Sequence, residues 1–174
     1  MAETPPLGLV GDASVLIDIV DANEPVLALI VQHIAPVIIP TPVLGEVKTL
    51  DEVRCAALGL DLVEPTLEQL REAAIPHPAL SFYDEVCLIV ARDGGYTCWT
   101  NDGPLGDECA SAGVARMRGL RPLLHLVESG ALSMAAAVGT VEVIQTINPY
   151  ITQAVVDDFR RLALEADRRR TGAP

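Results

Sequence analysis

Short apolar runs alternate along this chain with longer amphipathic stretches, and that alternation constrains the fold more than any other feature. Runs such as Leu7–Gly11, Val37–Ile39, Leu60–Val63, Tyr96–Thr100 and Val114–Arg118 are too short for helices and suit strands buried on both faces. Stretches of helical period follow them, at Ala13–Val20, Glu24–Gln32, Thr66–Ala74, Ser81–Arg92 and Leu105–Ala112. The pattern predicts βαβ units in a three-layer α/β/α fold around a central, mainly parallel sheet. Three further helices, near Arg121–Ser129, Met134–Ile147 and Ile151–Ala166, extend the C-terminal part. In the last of these, Ile151, Val155, Phe159, Leu162 and Ala166 form a stripe, so that helix is expected to dock.

Several boundaries carry their own signals. Thr41 followed by Pro42 suits a helix start, with Glu46 one turn in. Ser81 opens a helix that Gly94-Gly95 closes. Asn148-Pro149 marks the turn before the last helix.

Half of the 174 residues are hydrophobic, which is enough for one real core and excludes an intrinsically disordered chain. Aromatic residues make up only 3%, which argues against exposed stacking platforms for bases. No apolar run reaches the roughly 18 residues of a membrane span. The opening Met-Ala-Glu-Thr-Pro-Pro lacks the basic and apolar regions of a secretory signal, so the expectation is a soluble, cytoplasmic protein.

The net charge of −12 is unevenly spread: residues 1–115 hold 18 acidic and 4 basic side chains, residues 116–174 hold 6 and 8. Such a balance argues against nonspecific duplex binding, which draws its affinity from neutralised phosphates. An enzyme acting on a polyanion would draw its positive potential from Arg116, Arg118 and Arg121 and from Arg160, Arg161 and Arg168–Arg170, the last three expected to form a solvated terminus.

The cysteines, Cys55, Cys87, Cys98 and Cys109, form no Cys-x-x-Cys pair, and His33, His77 and His125 have no zinc-type spacing. A metal here takes oxygen ligands. In open parallel sheets, ligands bind beyond the carboxyl ends of the strands. Asp12, Glu46, Asp84 and Asp102 fall at or just past such ends. Magnesium and manganese favour hard oxygen donors, and gathered carboxylates raise one another's pKa unless a cation neutralises them. Each residue also has a plain structural reading: Asp12 and Asp102 as N-caps, Asp84 as partner of Ser81 in a capping box, Glu46 as solvated helix surface. Trp99 and Cys87 suit core packing, and Arg92 the exposed end of a helix.

Four strings, Gly11-Asp12-Ala13-Ser14-Val15-Leu16-Ile17-Asp18, Pro42-Val43-Leu44-Gly45-Glu46-Val47, Leu80-Ser81-Phe82-Tyr83-Asp84 and Thr100-Asn101-Asp102, together resemble the motif regions of the PIN domain family, in that family's order. The resemblance implies a PIN-like nuclease domain over residues 7–130, a helical extension over 131–170 packed on the domain or a partner, and a tail at 171–174. It further implies a divalent-metal-dependent endoribonuclease using Mg2+ or Mn2+, of the kind that serves as toxin in a type II toxin–antitoxin pair. Carried over, Asp12, Glu46, Asp84 and Asp102 would be the catalytic residues and hold the metal, with Thr100 and Ser14 in support. Many toxins of the family carry Asn at the position of Asp102 and an Asp three residues later. Here that later position is Leu105, so Asp102 itself serves, with Asp107 as an additional oxygen donor. Asp18, six residues past Asp12, is expected on the helix surface. The implied partners are an RNA substrate, an antitoxin protein and a second copy in a homodimer.

The alternative is a non-catalytic PIN-like module kept for protein contacts. A phosphoacceptor receiver is disfavoured because the single lysine, Lys48, lies near no late strand. No Gly-x-Gly-x-x-Gly or Walker loop supports nucleotide binding.

Overall fold

The computed structural model describes residues 5–172. Five strands form one all-parallel sheet: β1 (Leu9–Gly11), β2 (Val37–Pro40), β3 (Asp61–Val63), β4 (Thr97–Trp99) and β5 (Arg116–Met117). Their order is β3-β2-β1-β4-β5. The chain therefore winds outward from β1 in one direction through β2 and β3, then crosses to the other side for β4 and β5. Between β1 and β4 lies the topological switch point, where the loops after two neighbouring strands diverge and leave a crevice.

Ten helices occur among the described residues: α1 (Ala13–Asn23), α2 (Pro25–His33), α3 (Thr41–Leu44), α4 (Glu52–Leu58), α5 (Leu67–Ala73), α6 (Phe82–Gly94), α7 (Gly103–Ser111), α8 (Arg121–Ser129), α9 (Met134–Ile147) and α10 (Gln153–Thr171). They cover both faces, giving the three layers that the alternation predicts. Side chains alternate across a pleated strand, so the sheet divides one apolar set into two cores. Leu9, Val37, Ile39 and Trp99 face a core completed by α1, α2, α8, α9 and α10. Val10, Ile38 and Cys98 face the other, completed chiefly by α6 and α7. Trp99 is fully buried, and its indole N–H donates to the Gly119 carbonyl at 3.0 Å.

Local chemistry explains the helix ends. Thr66 and Ser81 each open a helix with a reciprocal capping box. Gly95 closes α6 at φ 66°, a left-handed conformation that side-chain-bearing residues rarely adopt.

Several expectations need correction. Strands β1, β4 and β5 are shorter than their apolar runs, because flanking residues leave the ladder. Thr41 does not cap α3; its hydroxyl donates to Glu64 Oε2 at 2.6 Å. Because α3 stops at Leu44, Glu46 lies in the turn beyond it and not within a helix. The alternation did not predict α4, although Asp51 caps it and Gly59 ends it at φ 73°. On α10 the buried residues are Val156, Phe159, Ala163 and Ala166, a face rotated from the expected stripe, with Val155 exposed. Helix α10 also runs through the expected terminus, with Arg169 paired to Glu128 at 2.7 Å and Arg170 to Asp167 at 2.7 Å. Of the expected tail, residues 173–174 lie outside the described residues.

Asp18 is not on the surface. It is 6% exposed, and Asn148 Nδ2, from the turn after α9, donates to both carboxylate oxygens at 3.0 and 2.9 Å. Helix α9 packs on α1, and the burial of Asp18 follows from that packing and not from any local signal. Among the described residues no helix is long and apolar enough to cross a membrane.

Candidate active site

A cavity of about 190 Å³ opens at the switch point, and Asp12, Glu46, Asp84 and Asp102 all line it. They come from four separate segments: the β1–α1 junction, the turn after α3, the first turn of α6 and the β4–α7 junction. Ala13, Ser14, Val43, Tyr83 and Cys87 complete the wall.

The plain structural readings of three carboxylates are correct: each takes part in a helix cap. Asp12 caps α1: its Oδ1 accepts from the Val15 amide at 2.9 Å and from the Ser14 hydroxyl at 2.7 Å. Its Oδ2 accepts from the Thr100 hydroxyl. Thr100 Oγ1 in turn accepts from the Asp102 amide at 2.8 Å, tying the two strand ends together. Asp102 caps α7 through Oδ1, 2.7 Å from the Leu105 amide. Asp84 Oδ2 accepts from the Ser81 amide at 2.9 Å and hydroxyl at 2.7 Å.

Capping occupies one oxygen of Asp84 and one of Asp102. Among the described residues the other oxygen of each has no hydrogen-bond partner, and Glu46 has none at either. Caps thus hold Asp84 and Asp102 in place while leaving an acceptor of each open to the cavity.

Charge is crowded here. Burial pushes the Asp12 carboxyl above the usual carboxylate range; the bonds from Thr100, Val15 and Ser14 only partly offset this, and Asp84 repels it further. Partial burial, and then the Asp84 charge, raise Glu46. Cys87 is buried beneath the cavity, and its thiol is pushed well up by burial and by the charges of Asp12 and Asp84. It stays protonated, 3.9 Å from the Gly11 carbonyl, as a neutral floor.

In kind, this donor set fits a hard cation: four carboxylates, with no imidazole among the lining residues. It is not preassembled for direct ligation. Among the described residues, no group of three or more His, Cys, Asp or Glu side chains stands close enough to hold a metal ion.

Ser14 and Thr100 meet the site as expected, both through Asp12. Asp107 does not. It is exposed on α7, five residues beyond the cap, which turns it about 140° around the helix from Asp102. Tyr83, on the cavity wall, carried no sequence signal beyond its place beside Asp84. Comparisons with protein-family models, curated proteins and solved structures find no match.

Proposed function

We propose that this protein is a divalent-cation-dependent endoribonuclease of the PIN type, hydrolysing phosphodiester bonds of single-stranded RNA at the Asp12–Glu46–Asp84–Asp102 cavity. One observation carries the reading: four carboxylates from four chain segments line a single cavity at the switch point of a parallel sheet. Capping alone accounts for each of three residues but not for their convergence; burial raises the pKa of Asp12 and Glu46, and the Asp84 charge adds to the rise in both.

Asp12, Glu46, Asp84 and Asp102 would hold Mg2+ or Mn2+, largely through water, since magnesium keeps several waters of its own. When bound, the cation would offset the carboxylate charge and stabilise charge developing on the phosphodiester. The protein's own part is positional. Thr100 and Ser14 fix Asp12, the capping box with Ser81 fixes Asp84, and the N-cap bond from the Leu105 amide fixes Asp102. Glu46, with no hydrogen-bond partner among the described residues, would be free to help orient the attacking water. A toxin's place in a toxin–antitoxin pair, with a protein antitoxin and a homodimeric state, belongs to the same proposal.

Asp84→Asn tests it. Asparagine keeps an oxygen for the Ser81 donors, so the fold should survive. Saturable Mn2+ binding by calorimetry and cleavage of a labelled single-stranded RNA should both disappear. A folded Asp84→Asn protein that cleaves like wild type overturns the assignment.

A second reading, a non-catalytic module of the same fold that serves protein contacts, is favoured because no three-residue ligand set stands preassembled among the described residues. It predicts that folded wild-type protein shows no saturable Mn2+ binding.

A further inference from the structure

A second, larger cavity of about 760 Å³ adjoins the first and shares Ser14 and Asp102 with it. It is an open groove between the β4 and β5 ends and the helices α8 and α10. Resting on the nuclease reading above, we propose that this groove is the track for the RNA strand, with Arg118 and Arg121 holding phosphates and Tyr150 stacking one unpaired base.

Charge supports this occupant. The chain carries a net charge of −12, and six arginines elsewhere are tied to carboxylates: Arg54, Arg92, Arg160, Arg161, Arg169 and Arg170. Arg118 and Arg121 are exposed, border the groove, and among the described residues have no ion-pair partner. Two free guanidinium groups beside four carboxylates suit a polyanion threading toward the carboxylate cavity. Asp158 on the far wall is already paired with Arg161 and adds little repulsion.

Tyr150 gives the groove its preference for unpaired bases. The composition argues against stacking platforms, yet this ring is 87% exposed and borders the groove. It is not on a loose loop. Its amide donates to Asn148 Oδ1 at 3.0 Å, and the same Asn148 side chain grips buried Asp18. An aromatic face on a fixed turn stacks any base, provided the base is not already paired. The floor, from Leu120, Leu124 and Ile151, is apolar and accommodates a base or sugar.

The test is fluorescence anisotropy with a labelled mixed-sequence 12-nucleotide RNA, in EDTA so that no strand is cut. Wild type should bind, with affinity falling as salt rises, and a duplex of the same length should bind more weakly. The double variant Arg118→Gln/Arg121→Gln should flatten the log–log salt slope by about 1.4, or about 0.7 per lost phosphate contact. Tyr150→Ala should weaken binding roughly 5- to 100-fold while leaving the slope unchanged. All three side chains are exposed, so the variants should fold, and each should still bind Mn2+ like wild type. Wild-type slope and affinity in both variants, or no RNA binding by the wild-type protein, overturns the groove. Absence of Mn2+ binding and cleavage by wild type would instead overturn the nuclease reading, and binding in EDTA reports on the groove independently.

Discussion

Asp18 is a buried carboxyl whose only hydrogen bonds among the described residues come from the amide of one asparagine, Asn148. Burial raises its pKa; Asn148 pulls it down, and Asp12 and Asp21 push it up. A carboxyl whose folded pKa lies above its unfolded value stabilises most below the unfolded value, near 3.8, and that stability is lost as pH rises through the folded value. Asn148→Ala removes the offsetting donors, so the deficit falls on the ionised form. The variant should lose about 1–3 kcal/mol at pH 7 and markedly less near pH 4, read from urea midpoints at both values. An equal loss at both pH values would mean that Asn148 acts by packing alone. Sequence spacing placed Asp18 away from Asp12, which agrees with its absence from the cavity. It could not show that α9 covers that side, because burial of a polar residue depends on a segment about 130 positions away. The positions of Asp12, Asp84 and Asp102 were legible, because each lies at a strand end or helix start that its neighbours announce; Glu46, expected one turn into a helix, lies in the turn after α3. Asp107 was misplaced because the N-cap at Asp102 sets the rotation of the whole helix.

At the scale of elements, α10 shows how a correct helix can carry a wrong face. The predicted and observed faces share Phe159 and Ala166, and Ile151 just before the helix is buried as expected, but the structure also buries Val156 and Ala163, leaves Val155 exposed and only half-buries Leu162. Consecutive valines make either rotation equally apolar, and only contact with α8 and α9 decides between them. Phe159 is central to both and is 3% exposed. Phe159→Ala should therefore destabilise the protein by about 3–5 kcal/mol, measured by chemical unfolding. Phe159 also borders the groove, so the folded fraction should bind RNA more weakly while binding Mn2+ normally. The short helix α4 escaped notice because seven residues hold barely two turns and show little periodicity. Its capping Asp51 and closing Gly59 were its legible signals.

At the scale of the whole molecule, sheet order decides where chemistry can occur. Winding in opposite directions from β1 leaves one crevice, and the acidic half of the chain supplies all four of its carboxylates. Under the proposed function, stability and cation binding are linked. Mn2+ at about 100 times its Kd should stabilise wild type by about 2.7 kcal/mol, seen as a rise in Tm that Asp84→Asn does not share. No rise in the wild-type protein would leave the crevice without a cation role. The same architecture also bears on biogenesis. Strand β1 and helices α1 and α2 are among the earlier segments to leave the ribosome, whereas α8, α9 and α10, which cover them, come later. Until those helices are made, Leu16, Ile19, Leu27 and Ile30 lack their cover, so a stalled or truncated nascent chain presents a sticky aliphatic face for chaperones to shield.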